Sequence, residues 1–407
     1  MKRNIRFILA AMVALVACFA LVACGGDNDA PRDVADSNMT TFAIGFGGPL
    51  TQGDVAFGQG ARRSVVLAVE EANQSPQAQE LGIQFRVVDG DDQSRADRGV
   101  AAANALVSER DLVGVVGHFN SAVSIPASQV YYDNNVVQIS YGSTNPDLTA
   151  QGFNNVFRTC ATDALQGPMG AQAAFNLGYR NVFIVDDSSI YGQGLTAEFS
   201  REFEALGGTI VGTESTQQGQ NDFSPVVTRI QATDADLVYF GGTYSADTGA
   251  GSLFSRQLTD GGVEAPVIGG DGIQNDAFIE EAGPQSEGDM ATKPGAPIAD
   301  LPQGAAFIDA YTTMFPGETP GGFDAFAFDA ANAIINAVFE VAADMDTDDI
   351  ASTNGRRAII EAVAGINFDG VTGPVSFNEM GDSNNPTITT YLVQDGVWIA
   401  HPELKDE

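Results

Sequence analysis

Lysine is almost absent from this chain. Its 407 residues hold three, Lys2, Lys293 and Lys405, and 19 basic residues in all stand against 53 acidic ones, a net charge of -34. Nothing in that balance could neutralise a phosphate backbone, so nucleic acid is not expected as a partner. Histidine is scarcer still, with only His118 and His401. Neither belongs to an HExxH motif, and the chain has no GxSxG elbow and no GxxxxGKS/T loop. Gly58-Gln59-Gly60-Ala61 is too short for a dinucleotide fingerprint. Catalysis generally needs a paired base and nucleophile. With none visible, the chain is not expected to be an enzyme, and no cofactor or metal is expected. The cysteines are Cys18, Cys24 and Cys160, with no CxxC or metal-ligand spacing. Two of them fall in the N-terminal segment, which leaves Cys160 alone and excludes a disulfide framework within the folded part. Trp398 is the one tryptophan, so a sugar ring sandwiched between indoles is disfavoured.

What the chain does have is an ordinary globular interior, 44% hydrophobic and 18% charged. Its N-terminus is a targeting segment: Lys2, Arg3 and Arg6, then an apolar run from Phe7 to Ala20 that is short for a membrane span. Leu21-Val22-Ala23-Cys24 resembles the lipobox of bacterial lipoproteins. That resemblance implies a signal peptide over 1–23 and a lipid on Cys24, followed by a polar, Gly- and Asp-containing tether over 24–39. Cleavage removes three bases and no acids, taking the net charge from -34 to -37. A surface this acidic suits high salt, where its self-repulsion is screened, though an acidic exported protein would read the same.

Beyond the tether, strand and helix patterns alternate, which argues α/β with parallel sheets. Leu112-Val113-Gly114-Val115-Val116 is an apolar run of the kind that forms a buried parallel strand. It leads into Gly117-His118-Phe119-Asn120-Ser121 and a helical pattern. A second strand, Val136 to Ser140, leads into Tyr141-Gly142-Ser143-Thr144-Asn145-Pro146. Both strand-to-helix turns are rich in hydroxyls. Ser121 and Thr144 either cap their own helices or offer donors to a ligand carboxylate at the carboxyl ends of the strands. Further strands end in Asp187-Ser188-Ser189-Ile190-Tyr191, in Gly241-Gly242-Thr243-Tyr244 and in Gly269-Gly270-Asp271-Gly272. Asp89-Gly90-Asp91-Asp92 lacks the distal glutamate of a calcium loop and reads as a solvated strand end. His118 reads as a hydrogen-bonded structural residue.

The blocks GHFNSAVSIPAS and ISYGSTNPDLT, with others in order from about Phe42 to Trp398, resemble the bacterial leucine/isoleucine/valine-binding proteins, type I periplasmic binding proteins of ABC importers. The resemblance implies two doubly wound parallel-sheet lobes joined by a three-strand hinge. The first lobe takes 40–160 and 292–387, the second 161–291 and 388–407. It implies an amino acid, branched-chain or related, held in the cleft between lobes and delivered to an ABC permease. The protein would then lie outside the cytoplasm, in the periplasm or on the cell surface, lipid-anchored to a membrane. Ser121, Ser143 and Thr144 would hold the ligand carboxylate, and Gly142 would offer a carbonyl to its ammonium. Asp271 would pair with the ammonium, and Tyr191 would close over the ligand. Asn120 and Thr243 complete the expected site, with Phe46, Phe119 and Tyr244 as apolar wall. Where relatives carry a large aromatic in the first loop, this chain has Gly53, so a roomier pocket is expected. An amide, a urea derivative or an aromatic acid on the same fold, or a sensor subunit in place of a transport partner, are the alternatives.

Overall fold

The computed structural model describes residues 39–402 and Leu404. Cys24, with the expected signal peptide and nearly all of the expected tether, lies outside the described residues. Two sheets organise the rest. The first contains β1 (Thr40–Gly48), β2 (Ile83–Asp91), β3 (Leu112–Val116), β4 (Val137–Ser140) and β5 (Val156–Arg158) in the order β2-β1-β3-β4-β5, all parallel. The second begins with β6 (Asn181–Asp186), β7 (Thr209–Ser215), β8 (Leu237–Gly241), β9 (Val267–Gly269) and β10 (Met290–Pro294). A small antiparallel ribbon follows, β11 (Phe368–Gly370) with β12 (Gly373–Val375). The chain then returns to the second sheet with β13 (Ile388–Gln394) and β14 (Val397–Ala400), giving the order β14-β13-β10-β9-β8-β6-β7. β13 runs antiparallel to β10, and the strands from β10 to β7 are parallel. The chain therefore passes between sheets three times: after β5, after β10 and before β13. Three connections in parallel are the construction of a hinge.

The apolar runs behave as their composition requires. Every residue of β3 (LVGVV) and β8 (LVYFG) is buried, because helices cover both faces of a parallel sheet. The helix Asp324–Asp344 is long and apolar enough to cross a membrane by length and composition. Its apolar residues instead pack on the helix Val55–Gln74 and against β3. Cys160 is buried and unpaired, and burial pushes its thiol up to about 12, which makes it inert near neutrality.

The strand end read as solvated is so at Asp89, which is exposed, but not at Asp92. Asp92 is fully buried, and its Oδ2 lies 2.7 Å from His118 Nδ1, while His118 Nε2 lies 3.0 Å from the Tyr131 hydroxyl. The aspartate that seemed a surface charge anchors the histidine under the first ligand-facing turn. His118 itself is structural, as the sequence suggested.

Candidate functional site

The two hydroxyl-rich turns of the first lobe are bound to each other. Ser140 Oγ donates to His118 O (2.8 Å) and accepts from Ser143 N (2.9 Å). Ser143 Oγ reaches Phe119 O (2.8 Å) and Ser124 Oγ (2.6 Å). Ser121, the first residue of the helix Ser121–Asp133, accepts from Asn145 N at 3.3 Å. The second turn is held from below by Arg158, which has no exposed surface. Its guanidinium donates to Ser143 O (2.7 Å), Asn145 O (2.9 Å), Thr149 Oγ1 (2.8 Å) and Asp382 Oδ1 (2.7 Å). Nothing in the sequence near Arg158 announces this, since Asp382 lies 224 residues away. Removing one partner of a fully buried pair costs about 3–5 kcal/mol; the Asp382 side chain is 20% exposed, so the low end, about 3 kcal/mol, applies. Asp382→Ala is accordingly expected to lower the unfolding free energy by about that much in a denaturant titration; a loss under about 1 kcal/mol would mean that the pair is worth no more than an exposed one.

Six of the eight expected site residues line one cavity between the lobes: Asn120, Ser121 and Gly142 from the first, Tyr191, Thr243 and Asp271 from the second. Ser143 does not line it, because its hydroxyl is spent on the bonds between the turns. Thr144 does not line it either. It is fully buried beneath the turn. Phe119 forms apolar wall, whereas Phe46 stacks under Tyr141 and Tyr244 stands behind, edge-on to Phe57.

The lobes are closed on each other. Thr248 Oγ1 donates to Asp54 Oδ1 (2.9 Å), Asn145 Nδ2 to Ile190 O (3.1 Å) and Ala56 N to the Tyr244 hydroxyl (3.3 Å), each across the cleft. The cavity keeps about 450 Å³ free of atoms, of which the centre of a water-sized sphere can visit about 30 Å³. Gly53 has φ +75, and a Cβ there would fall 2.5 Å from Ser94 Cβ; the Ser94 side chain occupies the space an aromatic would need.

Charge in the cavity has one sign. Asp187 and Asp271 line it, and no lysine, arginine or histidine does. Asp187 is committed to Ser189, whose N–H it accepts at 2.9 Å. Asp271 accepts from the Tyr191 hydroxyl at 3.1 Å, and that hydroxyl in turn accepts from Gly272 N at 3.2 Å. So Tyr191 positions the carboxylate as well as forming wall. Burial pushes Asp271 up to about 6, with Gln166 and Tyr191 pulling the other way.

Two acids at the cleft escaped sequence reading. Asp54 is fully buried and accepts from Asn120 Nδ2 (2.8 Å) and Ser94 Oγ (3.2 Å) as well as Thr248. It precedes the helix Val55–Gln74, where an aspartate reads as a cap, yet it makes no side-chain cap bond. Burial pushes it up to about 6. Asp163 opens the helix Asp163–Asn176 after the first passage between lobes. Burial, then the nearby Asp271 charge, push its carboxyl well above the usual range, with the Thr144 hydroxyl and the Arg158 charge pulling the other way. Among the described residues no cluster of histidine, cysteine, aspartate and glutamate could hold a metal ion.

A family model described as periplasmic binding protein matches residues 41–396. A Brucella abortus (strain 2308) protein named Leu/Ile/Val-binding protein homolog 2 is 32% identical over 375 residues, covering 92% of this chain and 92% of its own. A Pseudomonas aeruginosa protein named leucine-, isoleucine-, valine-, threonine-, and alanine-binding protein is 30% identical, covering 86% of this chain and 89% of its own. Among solved structures, a leucine binding protein from Thermotoga maritima MSB8 superposes with a TM-score of 0.77 at 26% identity, over 88% of this chain and 97% of its own. Two parallel sheets joined three times, a cleft between their carboxyl ends, and a match along nearly the whole described length together place the sequence: the chain belongs to the periplasmic binding protein family.

Proposed function

We propose that this protein is the substrate-binding component of an ABC importer and that it captures an α-amino acid, branched-chain or related, in the cleft between its lobes. The observation that carries this is the asymmetry of the cavity. Ser121, the first residue of the helix Ser121–Asp133, and Gly142 line it from one lobe, and Asp271 from the other, with no cation in its wall; the first N–H groups of a helix have no partner within it. A zwitterion with a carboxylate at one end and an ammonium at the other matches that arrangement. An aromatic acid would bring a negative charge to a site that offers it no positive partner. The cavity is too narrow in the closed form for free entry, so capture requires the lobes to part about the three-strand hinge and close again. Asp54 and Thr248 would then act as a latch across the mouth. Thr144 and Asp163 lie beneath the ligand and support it from the second turn and the first passage.

Calorimetric titration with the twenty amino acids, and with benzoate and urea, tests this reading. Saturable binding of one or a few amino acids is expected, with no heat from benzoate; benzoate binding alone would replace the amino acid reading with an aromatic acid one.

Export and a lipid on Cys24 complete the proposal, resting on the lipobox-like Leu21-Val22-Ala23-Cys24. Firm attachment needs more than one acyl chain, which bacterial lipoproteins carry. Cys24→Ser is expected to move the protein from the membrane fraction to the soluble one; a wild type already soluble and free of lipid would remove the anchor from the picture.

A further inference from the structure

A second cavity lies between the lobes, behind the aromatic partition that Phe57 forms with Phe119, Tyr244 and Phe323. It is far larger than the first: about 590 Å³ can be visited by the centre of a water-sized sphere, within about 1450 Å³ free of atoms. One lobe contributes the helix carrying Phe57 and Arg63 and the segment 318–324; the other contributes 274–277, Lys293 at the end of β10, and Tyr391 and Trp398.

Lys293 is the feature that ordinary packing does not explain. It is the one lysine among the described residues, and it is 5% exposed. It makes no hydrogen bond and no ion pair with any described residue. Asp324 and Asp271 act on it through charge attraction, and its Nζ lies over the Phe323 ring, 5.5 Å from the ring centre, a cation–π contact that supplies no hydrogen-bond acceptor. An ammonium taken out of water without a partner costs several kcal/mol. Burial accordingly lowers it to about 8. The backbone has made room for it: a Cβ on Gly322 would fall 1.4 Å from Nζ. The other charges of the wall are spoken for. Arg63 is paired with Glu318 at 2.9 Å, Asp324 accepts from Gly321 N at 2.9 Å, and Asp276 is exposed. One unpaired ammonium is therefore available, beside an apolar surface of Ile298, Pro297 and Trp398.

We propose that this second cavity binds a small organic monocarboxylate, its carboxylate on the Lys293 ammonium and its apolar body against Ile298 and Trp398. A single available cation suits a monoanion better than phosphate, and the apolar wall suits a hydrocarbon body. The proposal rests on this cavity alone and is independent of what the first cavity holds.

The chain supplies its own reporter, because Trp398 is its only tryptophan and lies in the cavity wall. Hexanoate is the probe and hexanamide its neutral control, titrated at constant ionic strength to about 10 mM, well past the ~1 mM at which a site contributes about 4 kcal/mol. The expected result is a saturable change in Trp398 emission with hexanoate and none with hexanamide over the same range. Lys293→Met should fold at least as well as wild type, since it replaces an unpaired buried charge, and should weaken hexanoate about 30-fold or more. Gly322→Ala, which places a methyl where the ammonium sits, should weaken it too. No saturable change with wild type, an equal response to hexanamide, or wild-type affinity in Lys293→Met would each overturn the proposal.

Discussion

Asp271→Ala is expected to weaken an α-amino acid by roughly 30-fold to several-thousand-fold, and to leave the same acid without its amino group almost unaffected. The carboxylate is 2% exposed and lies in a wall that contains no cation. In the closed cleft a ligand ammonium has no water to fall back on. Removing one partner of a buried, hydrogen-bonded charge pair costs about 2–5 kcal/mol, and 1.4 kcal/mol is a factor of about ten. Asp271 also accepts from Tyr191, so truncation could loosen the wall as well as remove the charge. Asp271→Asn separates the two effects, since the amide oxygen keeps the Tyr191 bond and only the charge is lost. Calorimetry with leucine and with 4-methylpentanoate on both variants gives the comparison. Equal losses for the two ligands would show that Asp271 shapes the cleft without recognising an ammonium. The fold would stand, and the amino acid reading would not.

Much of this could be read before any coordinates, and the reason is local. Parallel strands buried on both faces must be short apolar runs, so β3, β6 and β8 announced themselves as LVGVV, NVFIVD and LVYFG. Ligand-facing turns at their ends follow from the architecture, and six of the expected residues do meet at one cavity. What stayed hidden depends on distant partners. Asp54 reads as a helix cap until Thr248 arrives from 194 residues away. Asp92 reads as solvated until it is seen under His118. Ser143 and Thr144 have the right chemistry in the right turn, but the turn's own hydrogen bonds and the Arg158 guanidinium beneath it decide which groups face outward. The ribbon β11–β12 carries no apolar run at all: three residues a side, only the last of each buried. Lys293 and Trp398 lie more than a hundred residues apart in sequence and share a wall only because β13 lies between β10 and β14 in the second sheet.

The ligand-free protein is expected to be more stable at pH 5 than at pH 8, and its affinity for an amino acid to change in the opposite direction. Burial raises the carboxyls of Asp54, Asp271 and Asp329 to about 6 and those of Asp289 and Asp324 to about 7, from a usual 3.8. Each of these groups binds its proton more tightly in the folded chain than in the unfolded one. Their contribution to stability is therefore fully present below about pH 4 and is lost as pH rises through 6 to 7. A shift of about two units in one such group corresponds to about 3 kcal/mol, so even one of the five should move the melting temperature measurably. Lys293, lowered to about 8, works the other way but only above that pH. Self-repulsion among 53 acidic residues adds to the fall as pH rises. Binding requires Asp271 in its charged form, so below about pH 6 each unit should cost up to about tenfold in affinity. Melting curves with and without ligand across this range read both effects at once: the ligand-free midpoint should drop from pH 5 to pH 8 while the ligand-induced increase grows. A ligand-free midpoint that rises over that interval would mean that these buried carboxyls are ionised in the folded chain at no cost. A ligand-induced increase that stays constant would mean that no carboxylate meets the ligand's charge.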